Sequence, residues 1–234
     1  MASPSIVILT GAGISAESGL GTFRDEGGLW AQHRIEDVAT PEGFARNPQL
    51  VVDFYNARRA QAAEATPNAA HVALARLESE HKGDVTLVTQ NVDDLHEKGG
   101  HQSVIHMHGA LNSALCGACD HRWPAPLAMQ VGQTCPNCDA PAARPDIVWF
   151  GEIPYQMERI EAALTRADIF VAIGTSGNVY PAAGFVQLAT HVGAHTVEMN
   201  LDPGENVSLF AEARAGKASE TVPAWVDEVL RAAP

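Results

Sequence analysis

The chain has 234 residues, 46% hydrophobic and 18% charged, and its 28 acidic against 15 basic side chains give a formal net charge of -13. That length and balance describe one large domain, or one domain carrying a small insert, that can bury a sizeable core. The acidic excess argues against a duplex-binding face, since neutralising phosphates needs a basic surface, and no run of about 18 apolar residues is present to span a membrane.

In chain order, Ser5-Ile-Val-Ile-Leu-Thr10 is a short apolar, β-branched run that ends in Gly11-Ala-Gly13. It reads as a buried parallel strand followed by a tight turn into a helix. No basic region followed by an apolar stretch and cleavage site precedes it, so a cytoplasmic enzyme is expected. Residues 31–66 carry helical pattern and no clear strand. Helices are predicted over Ala69–Glu80, Met157–Ala167 and Ala182–His191, and further buried strands over Val85–Thr89, Ile169–Ile173 and Thr196–Asn200. Such alternation indicates an α/β fold, a Rossmann-like parallel sheet with helices on both faces. Residues 116–143, rich in Cys, Pro and Gly, interrupt it, as does the helical segment. The expected division is a Rossmann-like domain of residues 1–30, 67–115 and 144–234, with residues 31–66 and 116–143 forming a small lobe.

Gly11-Ala-Gly13-Ile-Ser-Ala16 matches G-x-G-x-x-G/A directly after a strand. The first glycine permits the turn, the second lets backbone approach a pyrophosphate, and the helix N-terminus supplies oriented N–H groups. A generic glycine turn is the alternative for this motif alone. The acidic residue of a dehydrogenase site is missing at its expected strand end, since Glu36 and Asp37 lie in the helical insert. The loop therefore implies a dinucleotide without implying hydride transfer. A long polar, glycine-rich segment follows, Ile14 to Asp25 and then Gly27-Gly-Leu-Trp30. Polar groups also stand just past strands, where α/β sheets bind ligands: Gln90-Asn91-Val92-Asp93, His106-Met-His108-Gly109, Gly174-Thr175-Ser176 and Asn200-Leu201-Asp202. Glycine and asparagine at strand ends are also ordinary turn formers. Of the 10 histidines, most are expected at the surface or at helix ends, His71, His81 and His191 among them. His106 and His108 are two apart and can share a strand face, with His106 read as packed and hydrogen-bonded.

Cys116-x-x-Cys119 and Cys135-x-x-Cys138 have the spacing of two zinc knuckles. Four thiolates close a tetrahedral shell and leave no position for water, so one structural Zn2+ is expected and a zinc hydrolase is disfavoured. Read alone, this segment also fits a zinc ribbon that binds protein or nucleic acid. In the helical insert, Tyr55 and Arg58 are spaced i, i+3 and can face one side of a helix. A phenol beside a guanidinium suits a carboxylate, although an ordinary helix-surface pair has the same spacing. Arg59 points elsewhere and should matter little.

These motifs, in this order, resemble the sirtuins of the bacterial desuccinylase class from about Ile6 to the C-terminal region. The family signature GAGIS-x-x-SGI-P-TFR is matched over Gly11–Arg24 except at Leu20 and Gly21, where the family often has Ile and Pro. The resemblance implies an NAD-dependent protein lysine deacylase that consumes NAD and yields nicotinamide, free lysine and O-acyl-ADP-ribose. It implies that Gly11, Ala12, Gly13, Ser15, Glu17, Thr22, Phe23, Arg24 and Trp30 bind NAD. Gln90, Asn91, Val92 and Asp93 would hold the nicotinamide and its ribose, with Asn91 also catalytic. Gly174, Thr175 and Ser176 would contact phosphate, Asn200, Leu201 and Asp202 the adenine-side ribose, and Ala218 the adenine. His108 of the His-Gly pair would be the general base that activates a ribose hydroxyl once the acyl oxygen has displaced nicotinamide.

Tyr55 and Arg58 resemble the Y-x-x-R pair of sirtuins that remove succinyl, malonyl and glutaryl groups, with Ala39 leaving pocket room. Acetyl-lysine is an expected substrate as well. Val148, Phe150, Gly151 and Glu152, with Val179 and Tyr180, resemble the two segments that sandwich the substrate peptide as an added strand. Asn178 stands where close relatives have histidine. The implied partners are acylated lysines of proteins, with neither nucleic acid nor membrane, and a monomer is expected. A dehydrogenase leaves the four-cysteine module and the Gln90–His108 set unexplained, and a zinc-ribbon adaptor leaves the polar strand ends unexplained. An NAD-dependent protein ADP-ribosyltransferase shares most of the site and stays open as the alternative.

Overall fold

A computed structural model describes residues 3–21, 32–202, 204 and 206–232. Strand β1 (Ile6–Thr10) runs into the one-turn helix α1 (Ala12–Ala16), and α2 (Ile35–Val38), α3 (Pro41–Arg46) and α4 (Pro48–Glu64) form the helical insert. Helix α5 (Ala69–Glu80) leads to β2 (Val85–Thr89), α6 (Leu95–Lys98) and β3 (Val104–His106). Three antiparallel strands follow, β4 (Gly109–Cys116), β5 (Arg122–Pro124) and β6 (Ala143–Ile147). The chain then continues through α7 (Met157–Leu164), β7 (Ile169–Ile173), α8 (Phe185–His191), β8 (His195–Asn200), β9 (Glu212–Ala215) and α9 (Ala218–Ala232).

The main sheet has the order β3-β2-β1-β7-β8-β9, and every pairing in it is parallel. Side chains alternate across a strand, so Ile6 and Ile8 pack on one face with α5 and α9 while Val7 and Leu9 pack on the other with α7 and α8. Both faces are covered, which is why the strands read as unbroken apolar runs. From β1 the chain winds outward to β2 and β3, and later from β7 to β8 and β9. Strands β1 and β7 are therefore the topological switch point, whose crevice at the strand C-termini is where such sheets bind ligands.

The helical insert has local stop and start signals. Thr40 caps α3 by accepting the Gly43 N–H at 2.9 Å, and Asn47 caps α4 by accepting that of Leu50 at 3.1 Å, each followed by a proline that loses no helical bond. Val38, Val51, Phe54 and Tyr55 then pack on Val92, Leu111, Ile147 and Trp149. The insert thus sits over the loops at the C-terminal ends of β2 and β3. Strands β4 and β6 cross residues 115/116 and 143/144, the expected edges of the cysteine segment, and carry it on the far side of α4.

Several boundaries differ from the sequence reading. Strand β1 begins at Ile6, because the Ser5 N–H is taken by the Asp168 carboxylate at 2.7 Å. Strand β8 gains His195, whose N–H donates to the Asp168 carbonyl at 2.8 Å. Helix α7 stops at Leu164, since tight bonds from Arg166 to Ala163 and from Ala167 to Leu164 turn the chain toward β7. The stretch from Ala182 starts as a 3-10 turn and becomes α-helical at Phe185. His71, His81 and His191 do lie at helix ends, but His71 and His81 are buried instead of at the surface. His71 accepts the Asn68 N–H in the capping box of α5, and His81 reaches the Pro4 carbonyl at 2.7 Å.

Candidate active site

Loops after β1, β2, β7 and β8 meet above the switch point. Gly11 and Gly174 continue β1 and β7, and a Cβ on Gly11 would stand 2.7 Å from the Gly174 carbonyl oxygen. Gly13 is bare for a reason the motif alone does not reveal. Its N–H donates to the Gly174 carbonyl at 2.8 Å, and a Cβ there would stand 2.7 Å from the Gly174 Cα. The neighbouring loop therefore requires the second glycine of the motif independently of any approach to a pyrophosphate. Ala12 opens α1 directly behind Gly11.

Asn91, Asp93 and Ser15 form one buried set. The Asn91 Nδ2 donates to the Gly11 carbonyl and to Ser15 Oγ, both at 3.1 Å, and Ser15 Oγ donates to Asp93 Oδ2 at 3.2 Å. The Asn91 N–H is held by Thr89 Oγ1 at 3.0 Å. Gln90 Nε2 donates to Thr175 Oγ1 at 2.9 Å, and Asn200 Nδ2 to the Thr175 carbonyl at 3.0 Å. With their amide hydrogens engaged in this way, the side-chain groups that Gln90 and Asn91 have left to offer are carbonyl oxygens, acceptors suited to hydroxyl donors. Burial raises the Asp93 carboxyl above its ordinary range, against the N–H of Leu95, the Ser15 hydroxyl, His106 and Arg58. Val92 is buried behind this loop.

His108 follows β3 by two residues and is half-buried, with the fully buried Met107 between it and His106 in the chain. Its Nδ1 donates to the Gln90 carbonyl at 3.1 Å, which leaves Nε2 as the acceptor nitrogen. Burial pulls the His108 pKa below its ordinary value, only partly opposed by that bond, so the ring is neutral at neutral pH. His106 ends β3, with Nδ1 at 3.2 Å from the Asn91 carbonyl and Nε2 at 2.7 Å from Glu97. Burial would lower His106, but the Glu97 carboxylate more than reverses this and raises it. His106 is thus the packed, hydrogen-bonded histidine of the pair.

Several of the remaining expected contacts stand on neighbouring loops. Glu17 accepts from the Ser219 N–H at 3.0 Å and its hydroxyl at 2.6 Å, so it caps α9 just beside Ala218. Ser176, Leu201 and Asp202 sit on the loops after β7 and β8, Leu201 and Asp202 exposed. Thr22, Phe23, Arg24 and Trp30 lie outside the described residues. A buried residue that the sequence reading missed, Glu198, accepts from Asn200 Nδ2 at 3.1 Å and from the Gly204 N–H at 3.3 Å. This polar donor set at the switch point fits a dinucleotide.

On α4, Tyr55 is fully buried and Arg58 half-buried, with the guanidinium 5.8 Å from the Tyr55 ring centre. Burial lowers the Arg58 pKa, while Tyr55 and the Asp93 carboxylate act in the opposite sense. Ala39 is buried nearby, and its carbonyl accepts the Phe150 N–H at 2.9 Å. Val148 is tied to the segment after β3, its N–H donating to the His108 carbonyl at 2.9 Å. Phe150 and Tyr180 are exposed, as is Gly151, while Val179 is partly covered. Glu152 faces inward to Arg144 in a two-pronged pair at 2.7 and 2.9 Å and accepts the Trp149 N–H at 2.8 Å. Neither Arg144 nor Trp149 stands out in the sequence. The apolar Trp in Val148-Trp149-Phe150 was the available signal.

The cysteine module is built from two matching turns. The amides of Ala118 and Asn137 each point at a sulfur, those of Cys116 and Cys135, at 3.4 Å. Asp120 and Asp139 close the turns in the left-handed region, with φ of 57° and 58°, a conformation Asp tolerates better than most residues. The four sulfurs lie within 4.8 Å of one another, with Cys116–Cys138 at 3.7 Å and Cys119–Cys135 at 3.8 Å. Sulfurs about 2.3 Å from a tetrahedral zinc stand at such separations. The donor set fits Zn2+ and leaves no open coordination position.

Arg59 departs from the sequence reading. It is buried, and its Nε donates to the Leu111 carbonyl at 2.6 Å while Nη1 reaches Asn56 Oδ1 at 2.7 Å and the Leu127 carbonyl at 3.3 Å. It points elsewhere than Tyr55 and Arg58, as expected, but into a contact that holds the cysteine module to α4.

A profile of the Sir2 family matches residues 11–181. The chain is 58% identical over 229 residues to an NAD-dependent protein deacylase of Vibrio parahaemolyticus, covering 97% of this chain and 95% of that one. Its fold superposes on a Sir2 homologue in complex with NAD at a TM-score of 0.89, with 37% identity, over 98% of this chain and 90% of the other. A Sir2 protein bound to a propionylated peptide matches at a TM-score of 0.81 and 28% identity, over 95% and 92% of the two chains. With the profile spanning most of the chain, from the first glycine loop past the strand end at Gly174, the chain belongs to the Sir2 family.

Proposed function

We propose that this chain is an NAD-dependent protein lysine deacylase that favours acidic acyl groups, succinyl and malonyl, and also accepts acetyl. The observation that carries the reading is His108, a neutral imidazole with Nδ1 bonded to the Gln90 carbonyl and Nε2 left to accept a proton. The Vibrio relative named as a deacylase and the NAD-bound structural neighbour support the same activity. NAD, when bound, supplies the electrophilic ribose carbon that accepts the acyl oxygen. Gln90 and Asn91 offer acceptor oxygens for its hydroxyls, and Asp93 shapes the floor through Ser15. His108 takes up the proton of the attacking hydroxyl, and Thr175, Ser176, Asn200 and Leu201 rim the nucleotide side.

For the acyl group, Tyr55 keeps its proton because burial raises its pKa, so it is a hydrogen-bond donor beside the Arg58 cation. That pair suits a distal carboxylate, and the small buried Ala39 leaves room for it. Val148–Glu152 and Val179–Tyr180 would take the peptide backbone between them as an added strand. Two lobes, with residues 31–66 and 116–143 as the smaller, would close on it. The placement we favour is cytoplasmic and monomeric, without nucleic acid or membrane. The acidic charge disfavours nucleic acid, and the clustered thiols suit a reducing compartment.

Mass spectrometry of the products tests the reaction. O-acyl-ADP-ribose with unmodified lysine is expected, and ADP-ribosylated protein would establish transfer instead. Paired kinetics on one peptide bearing succinyl- or acetyl-lysine test the acyl preference. Tyr55→Phe and Arg58→Met should each lower kcat/KM for succinyl-lysine by at least about tenfold more than for acetyl-lysine, the worth of a charge-assisted hydrogen bond. Equal losses on the two substrates would sink the acidic-acyl reading.

A further inference from the structure

Trp149 lies directly behind the acyl pocket, 2% exposed. Its indole Nε1 donates to the Tyr55 hydroxyl at 3.1 Å. The indole ring is fixed from several sides. The Arg144 guanidinium stands 3.5 Å from its centre, and Phe44 lies 5.2 Å away. Arg144 is itself held by the Glu152 carboxylate and by the Ile147 carbonyl at 2.8 Å. Glu152 also accepts the Trp149 backbone N–H at 2.8 Å, so one ion pair grips both ends of the residue.

A phenol hydroxyl has one proton and two lone pairs. Once an indole N–H, which can only donate, occupies one lone pair, the hydroxyl proton cannot point toward the indole. No described residue accepts that proton. We propose that Trp149 is a positioning residue for acyl selectivity: its indole N–H turns the Tyr55 hydroxyl into an oriented donor for the distal carboxylate of an acidic acyl group. The inference rests on the Tyr55–Arg58 reading of the pocket and adds to it the group that sets the hydroxyl's direction. A phenylalanine at 149 would leave the hydroxyl free to rotate, and part of the binding would then be lost to ordering it.

The test replaces Trp149 with β-(3-benzothienyl)alanine, which keeps the ring shape and removes the N–H, alongside Trp149→Phe in the full chain. Zinc content and thermal midpoint are recorded for each. The ratio of kcat/KM for succinyl-lysine to that for acetyl-lysine should fall about tenfold in both variants, carried by a higher KM for the succinyl peptide and not by kcat. An unchanged ratio in the benzothienyl variant, with Tyr55→Phe and Arg58→Met still selective, would overturn the role of Trp149 alone. Equal losses on both peptides would also overturn it, by making Trp149 a packing residue. Loss of selectivity effects in Tyr55→Phe and Arg58→Met themselves would bring down the pocket reading beneath it.

Discussion

His108 illustrates how one hydrogen bond sets a residue's chemistry. Donation from Nδ1 to the Gln90 carbonyl selects the tautomer, and burial keeps the ring neutral by pulling its pKa below 6.5. Because the neutral form accepts the proton, the kcat/KM profile should be flat above about pH 6.5 as far as this group is concerned and fall only at lower pH. His108→Ala should lower turnover by about 100-fold or more, the usual worth of a general base, with zinc content and thermal midpoint retained. An active variant would move the base elsewhere. The sequence singled out His108 through the resemblance of its His-Gly pair, whereas nothing in it singled out Trp149. Its hydrogen bond to Tyr55 joins residues 94 positions apart, a separation that no local pattern encodes.

At the scale of elements, α4 carries two surfaces with separate tasks. Tyr55 and Arg58 share the face we propose for the acyl group, while Asn56 and Arg59 hold the segment before the second cysteine pair. Asn56 exchanges two bonds at 2.9 Å with the Met129 backbone, and Arg59 reaches Leu111 and Leu127. Arg59→Met would leave the Leu111 carbonyl buried without its partner, a loss of about 1–3 kcal/mol. Thermal denaturation should show this as a lower midpoint, with faster amide exchange over residues 111–143 and an unchanged succinyl-to-acetyl ratio. The cysteine module needs its ion for the same physical reason: few apolar side chains hold it together beyond Val52, Ala114, Met129 and Ala143. A strong chelator or Cys116→Ala should release zinc, raise exchange across 116–143 and reduce activity indirectly, whereas full stability without zinc would contradict a structural ion. The spacing of the cysteines disclosed the ligands, but the docking of their module on Arg59 required the folded chain.

Across the whole molecule, buried histidines tie stability to pH. His71, His96 and His101 are all nearly inaccessible, the rings of His71 and His96 4.9 Å apart, and His96 Nε2 meets Thr10 Oγ1 at 3.0 Å. Burial lowers the pKa of each, that of His71 to about 4. The unfolded chain protonates these rings below about pH 6.5 while the native state keeps His71 neutral down to about 4. Their contribution is therefore complete above pH 6.5 and is lost as pH falls toward 4, with His71 alone accounting for roughly 3 kcal/mol. His106, whose pKa Glu97 raises, acts in the opposite sense and stabilises on the acid side. Urea titrations from pH 7.5 to 4.5 should show a steep fall in unfolding free energy, steeper still in His106→Gln. A flat profile would mean that the buried rings exchange protons freely.

The same division runs through the whole chain. Strand positions, the cysteine pairs and the order of polar strand ends are set by neighbouring residues: apolar runs must be buried on both faces, thiolates at knuckle spacing close on one ion, and glycines mark turns. Those features the sequence determined by itself. The tertiary structure alone decided which groups face each other: Gly13 against Gly174, Asn91 against Ser15, Arg59 against Leu111, and Trp149 against Tyr55. Each joins loops or helices that meet only when β1 and β7 lie side by side and the insert folds over their ends. Hydrogen-bond partners and burial are properties of that meeting, so the chemistry of His108, Asp93 and Tyr55 follows from the fold.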